Sequence, residues 1–209
     1  VTRAPATKRR GPRWELRILD ALAYPANIIL GALAGLILAL PIVTLVPAGV
    51  ALARSFGQWD VGERDDVFRN TFRHFGQTWR RTVVPGLVGA VVLVVLVIDA
   101  VFLVSQLTSG ESTIGLVFAA AMVPVAVMVC LYGLALCTAS ALMPDAATHD
   151  WLRAATQIML SYPARSFGVV LAMCLTAVVC GLLPTLAPFI FMSVPVYAAI
   201  RLWPSSASD

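Results

Sequence analysis

Apolar residues gather along the chain into four long runs, Ala21 to Ala53, Val83 to Leu107, Ile114 to Met143 and Phe167 to Leu202, with shorter arginine-bearing stretches between them. A helix rises 1.5 Å per residue and the hydrocarbon core of a bilayer is about 30 Å thick, so a run of roughly 20 residues crosses it once. The second and third runs each fit one crossing, the third with tilt, and the short polar link Thr108 to Thr113 makes them an antiparallel hairpin. The first and last are long for one crossing and approach the roughly 34 residues that two short crossings need. Both carry prolines where a break would help, Pro41 and Pro47 in the first and Pro184, Pro188 and Pro195 in the last. Each is therefore predicted to bend or fold back, because proline removes a backbone donor and ends or kinks a helix.

Two amphipathic helices are predicted between the runs. Phe68, Phe72, Phe75 and Trp79 fall on one helical face, and Arg69, Arg73 and Arg80 fall on another, with Arg81 beside them. That pattern predicts a membrane-surface helix, capped by Asp65 or Asp66 and ended by Arg80 and Arg81 at its C-terminal dipole. The second runs from about Ala146 to Tyr162, with Trp151, Ala155, Ile158 and Tyr162 on one face and Asp145 as its cap. Phe68 through Val84 and Leu152 through Gly168 share one plan, an apolar residue, an arginine, a surface helix, a second arginine and then a span. Two readings fit, an internal two-fold repeat of the kind many transport proteins contain and convergent amphipathicity.

Charge chooses between one crossing and two. If each run crossed once with the N-terminus inside, Arg54, Arg64, Arg69, Arg73, Arg80, Arg81, Arg153 and Arg165 would all lie outside, leaving no bias. If the first run returns to its starting side, every basic residue except Arg201 lies inside, as the positive-inside rule favours. Arg201 joins them if the last run also folds back. The expectation is an all-α, polytopic membrane bundle of four to six spans with a cytoplasmic N-terminus. It comprises a basic tail over 1–17, a membrane domain over 18–203 and a short polar tail over 204–209. The first run is expected to stay as an anchor, being longer than the apolar core of a signal peptide.

Composition supports lipid as the solvent. The chain is 59% hydrophobic and 12% charged, with a mean hydropathy of +0.86, against about 25% charged residues in soluble domains. The basic tail suits an anionic lipid surface, and no nucleic-acid recognition module accompanies it. Cys130, Cys137, Cys174 and Cys180 lie in apolar runs without Cys-x-x-Cys spacing and are expected as small buried hydrophobes.

Candidate chemistry is sparse. Asp99 sits in an apolar run, where an ionisable residue is a functional hypothesis, but it lies roughly 27 Å from Arg81 by helical rise, which favours an interfacial position. Thr44 and Thr185 lie beside proline breaks and are expected to bond freed carbonyls, with substrate contact as the alternative. His74 and His149 lack metal-ligand spacing and are expected to be solvated or interfacial. Lys8 is the single lysine, so neither a phosphate-binding loop nor a Schiff-base lysine is available within the spans. No metal, cofactor or catalytic group is expected. Gly31 and Gly35, and likewise Ala135 and Ala139, have the spacing that lets helices approach closely, which is read as internal packing.

The run Leu40-Pro41-Ile42-Val43-Thr44, followed by Pro47-Ala48-Gly49-Val50-Ala51-Leu52 and the aromatic and arginine pattern from Phe68 to Trp79, resembles the YesL-like family of bacterial membrane proteins. The resemblance covers roughly Ala21 to Pro85, with Leu45-Val46 and His74-Phe75 departing from the family's usual residues. It implies a domain of unknown function whose members accompany ATP-driven carbohydrate importers, hence a non-enzymatic accessory role beside permease subunits. It brings no catalytic residues. A small transporter or channel is the alternative, motivated by the proline-broken runs.

Overall fold

The computed structural model describes residues 13–60, 66–109 and 113–203. These residues form helices α1 (Arg13–Ala39), α2 (Leu45–Asp60), α3 (Val67–Ser109), α4 (Thr113–Leu142), α5 (Thr148–Ser161), α6 (Pro163–Leu182), α7 (Ala187–Ile190) and α8 (Ser193–Leu202), with 3-10 turns at Ile42–Thr44 and Pro184–Leu186. The chain is an all-α bundle without strands among the described residues. Four helices are long and apolar enough to cross a membrane, or five if the bent pair Pro184–Ile190 and Ser193–Leu202 forms one span. The protein is membrane-embedded on that basis.

The first run breaks where proline predicts. Leu40 precedes Pro41 and is biased away from helix, and Pro41 itself is extended with φ −76° and ψ 119°. Thr44 meets the stranded acceptors, its Oγ1 lying 2.5 Å from Leu38 O and 2.6 Å from Pro41 O. Pro47 falls in the first turn of α2, where a missing N–H costs little. The last run breaks likewise at Leu183-Pro184, but Thr185 is exposed and its hydroxyl bonds no carbonyl among the described residues, contrary to expectation. There Leu186 N to Leu183 O closes the turn at 2.9 Å instead.

α2 is the centre of the bundle, packed by α1, α3, α4 and α8, and every residue from Pro47 to Phe56 is buried. A helix enclosed on all sides needs small residues. A Cβ on Gly49 would lie 2.9 Å from Cys137 Sγ, and one on Gly31 2.9 Å from the Phe56 ring. Gly31, Gly35, Ala135 and Ala139 thus serve internal packing, as expected. At its mouth the Ile42–Thr44 turn presses on α3, where a Cβ on Gly86 would meet Val43 O at 2.6 Å.

The predicted surface helix beginning at Phe68 does not stop near Arg81. It is the first part of α3, a single helix of 43 residues, about 64 Å long. Arg80 and Arg81 therefore complement no helix end. Pro85 lies inside this helix and strands the carbonyl of Arg81 four residues back. Thr148, the first residue of α5, donates its hydroxyl to that oxygen at 3.3 Å, so the helix continues. Asp66 caps α3 through its Oδ1 to Phe68 N, 3.1 Å, whereas Asp65 lies outside the described residues. Asp145 does not cap α5, whose N-cap is Ala147 without a side-chain bond. α1 starts inside the predicted tail, at Arg13, and the rest of that tail and the segment 204–209 also lie outside the described residues.

The repeat has a structural counterpart. Ala51 to Asp60 and Ala135 to Pro144 show the same sequence of buried, half-buried and exposed positions, residue for residue. From Val67 to Thr82 and from Trp151 to Ser166, no position buried in one copy is exposed in the other. Arg69 and Arg81 correspond to Arg153 and Arg165, and the continuous α3 corresponds to α5 followed by α6, interrupted at Tyr162-Pro163.

Removing the Thr148 hydroxyl by Thr148→Val is expected to cost about 0.5–1 kcal/mol in detergent unfolding. In a Pro85→Ala background, where residue 85 regains its N–H, that cost is expected to vanish. A penalty equal in both backgrounds would show that the hydroxyl serves something other than the stranded carbonyl.

Candidate functional site

All arginines on described residues sit at one end of the bundle, where α1 begins, α2 ends, α3 begins, α4 ends and α5 lies. Both folded-back runs return there: Arg201 of α8 pairs with Asp60 of α2 at 2.5 Å, and its Nε donates to Tyr197 Oη at 2.8 Å. Tyr24, Phe56, Trp59 and Tyr197 form an aromatic cluster beside this pair, with the Tyr24 and Tyr197 hydroxyls bonded. No sequence periodicity links these four residues. They meet because two separate hairpins end at one level.

The same end holds a polar cavity of about 430 Å³ lined by Arg54, Gly57 and Gln58 of α2, His74 and Gln77 of α3, Ala141 of α4, and Pro144 and Asp145 of the link to α5. Arg54 is its central group. Its side chain follows a buried helix, and the residue is only 9% exposed. Nη2 donates to Pro144 O at 3.0 Å, and the guanidinium stacks 5.1 Å from the centre of the Trp151 ring. The indole is itself fixed by Nε1 to Met143 O, 2.8 Å. Arg54 Nε is buried without a partner among the described residues. Asp145 is not within ion-pair distance. Burial, and next the charge of Arg81, lower the pKa of Arg54, while Asp145 raises it, and the group stays charged at neutral pH.

The opposite wall comes from an inverted helix face. On α3 the polar residues Asn70, Thr71, His74, Thr78 and Thr82 are buried, against α2, while Phe72 and Trp79 are exposed and Phe68 and Phe75 half-buried. Arg69, Arg73, Arg80 and Arg81 are exposed. The threonines return their hydroxyls to the carbonyl four residues back, Thr71 also meets Ser55 at 3.1 Å, and His74 Nε2 meets Gln58 Oε1 at 2.9 Å. Phe72 and Trp79 thus lie on the side of α3 away from α2. His74 is a correction, since it is buried and bonded, whereas His149 is exposed and contacts Asp150 at 3.1 Å.

Asp99 takes no part. It is half-buried on α3 between exposed Ile98 and Val101, far along the helix from the arginines, and makes no ion pair among the described residues. Thr44 and Thr185 lie at the two breaks and also away from the cavity. Of the cysteines only Cys137 is buried; Cys130 and Cys174 are exposed on faces that lipid would cover. No group of three His, Cys, Asp or Glu side chains that could hold a metal occurs among the described residues. Among the described residues the cavity lining offers donors, acceptors and one fixed cation, without a serine, threonine, cysteine or lysine nucleophile. Such a set can hold a polar molecule. Sequence reasoning missed Arg54 because an arginine ending an apolar run reads as an interfacial anchor.

Residues 26–100 match the family model described as a protein of unknown function, DUF624. The matched segment holds the α2 and α3 walls of the cavity and stops short of the α4 to α5 side. No curated protein and no solved structure matches the chain.

Trp151→Phe keeps most of the ring volume but removes the donor to Met143 O and weakens the face under Arg54. It is expected to cost about 1–3 kcal/mol in thermal unfolding. Thr156→Ala on the exposed face of α5 is expected to stay within about 0.5 kcal/mol. Equal effects of the two would show that the Arg54 stack carries no stability.

Proposed function

We propose that the chain is a non-enzymatic accessory membrane protein of the YesL-like type, lying in the cell membrane with its N-terminus and arginine-rich end in the cytoplasm and packing against the permease subunits of an ABC-type carbohydrate importer. The observation that carries a partner is the hairpin of α3 and α4. No described side chain from Val91 to Thr108 or from Val117 to Cys130 is buried, so both helices offer apolar faces that the chain itself leaves uncovered. Their length past the Gly86 and Val43 contact, about 30 Å, is enough to line another membrane helix. The carbohydrate importer comes from the resemblance around Leu40 to Trp79. The orientation follows from the cost of moving positive charge across a membrane.

The second reading, a small transporter or channel, draws support from the polar cavity lined in part by α2, the second arm of the first proline-broken hairpin. It requires solute flux by the purified chain in liposomes, and sealed liposomes would remove it.

Isolation of the full chain from native membranes in mild detergent is expected to bring permease subunits with it, in lower yield when Val91, Val95 and Ile98 are changed to alanine. Recovery free of permease, together with normal sugar uptake on deletion, would overturn the accessory role. On a background without the native cysteines, Gly76→Cys is expected to react with an impermeant thiol reagent only after cells are opened, and Ser105→Cys in intact cells. The opposite labelling would reverse the orientation.

A further inference from the structure

The two copies of the repeat differ most where the cavity lies. Arg54, Gln58 and His74 in the first copy correspond to Thr138, Leu142 and Ile158 in the second, the first two pairs equally buried and Ile158 half-buried where His74 is buried. The second copy therefore shows that these positions pack with a small hydroxyl or with aliphatic side chains. Of the three, Gln58 and His74 bond each other, whereas the cation is withdrawn from water without a charged partner among the described residues, which is unfavourable unless something polar faces it. The fold does not require them.

Arg54 carries the strongest case. Arg54 is 9% exposed, no carboxylate among the described residues pairs with it, and among them one of its five N–H donors is engaged, on Pro144 O. Because Nε is enclosed, it is the Nη end that borders the cavity. Around it Gln77 adds an amide and Gln58, whose Oε1 meets His74, adds amide N–H donors, and Asp145 stands at the exposed rim. Guanidinium groups take carboxylate or phosphate oxygens through two parallel N–H bonds. The volume is too large for one ion and falls in the range of about 300–1,000 Å³ that small-molecule sites occupy.

We propose that this cavity is a binding site for a small polar organic molecule bearing an oxyanion, with Arg54 holding the oxyanion, Gln58 and Gln77 the polar remainder, and Asp145 setting a repulsive rim. Carboxylate and phosphate share this recognition, and the source is either a soluble solute or the headgroup of an anionic lipid at the adjacent membrane surface. The site is independent of whether the chain docks to a permease.

The test uses the full chain in nanodiscs of zwitterionic lipid, with sn-glycerol 3-phosphate and succinate as soluble probes and, separately, nanodiscs containing phosphatidylglycerol. A saturable rise in melting temperature with either soluble probe, weakened at least tenfold by Arg54→Gln and strengthened about threefold by Asp145→Asn, supports a soluble ligand. A rise with phosphatidylglycerol alone, lost in Arg54→Gln, supports a lipid headgroup. Because Arg54→Gln also disturbs the Trp151 stack, Gln77→Ala, at an exposed position, provides a second arm and is expected to weaken binding about threefold. No response to any of the three probes, or responses that neither the Arg54 nor the Gln77 and Asp145 variants alter, would overturn the proposal.

Discussion

In a hydrocarbon solvent a backbone carbonyl that loses its N–H partner has no water to turn to, and this chain places prolines repeatedly within its apolar runs. At two of these prolines a threonine hydroxyl meets the freed carbonyls. At Pro41 the answer is local, because Thr44 reaches back to Leu38 and Pro41 and the chain reverses into α2. At Pro85 it is tertiary, because Thr148 arrives from α5 and lets α3 run straight through. One chemical problem thus yields a hairpin at Pro41 and a continuous helix at Pro85, with a hydroxyl meeting the freed carbonyls in both places.

That difference explains what was legible in the sequence. The breaks at Pro41 and Pro184 could be read from run length and arginine placement together, since neither long run suits one crossing and the returned arginines favour folding back. The α3 to α4 hairpin followed from its short polar link. The end of the first amphipathic segment could not be read. Its signal, a switch from an aromatic and arginine pattern to continuous apolar sequence, marks a change of surroundings along α3, whereas a helix stops only where backbone bonds stop. Asp145 failed as a cap for a related reason: the chain enters α5 two residues later, at Ala147.

The amphipathic face of α3 was read correctly in its period and left open in what lies behind it. Phenylalanine and tryptophan at helical spacing mark the core side in a soluble protein, but here Thr71, His74, Thr78 and Thr82 form the buried stripe, while Phe72 and Trp79 are exposed and Phe68 and Phe75 half-buried. Threonine is suited to that place, because its hydroxyl returns to its own helix and its methyl packs against α2, leaving no donor unpaired. Arg54 was less accessible to sequence reasoning, because its burial depends on a segment 90 residues away, the Pro144 carbonyl and the Trp151 ring, folding over it.

The repeat shows how the equivalent place in the second copy is filled. Arg54 of the first copy stacks on Trp151 of the second, and the positions related to them by the repeat are Thr138 and Val67, both buried. Val67 sits in a core cluster with Cys137 and Phe56, an ordinary apolar contact. Similar backbone plans have therefore been filled in two ways, with one interface between the copies dry and closed and the other charged and open. A cation held by a π face and a carbonyl, each from the opposite copy, ties the halves together without neutralising its charge. The packing leaves that charge facing the cavity, so the asymmetry between the copies, more than the helical scaffold they share, gives this end of the bundle its chemistry.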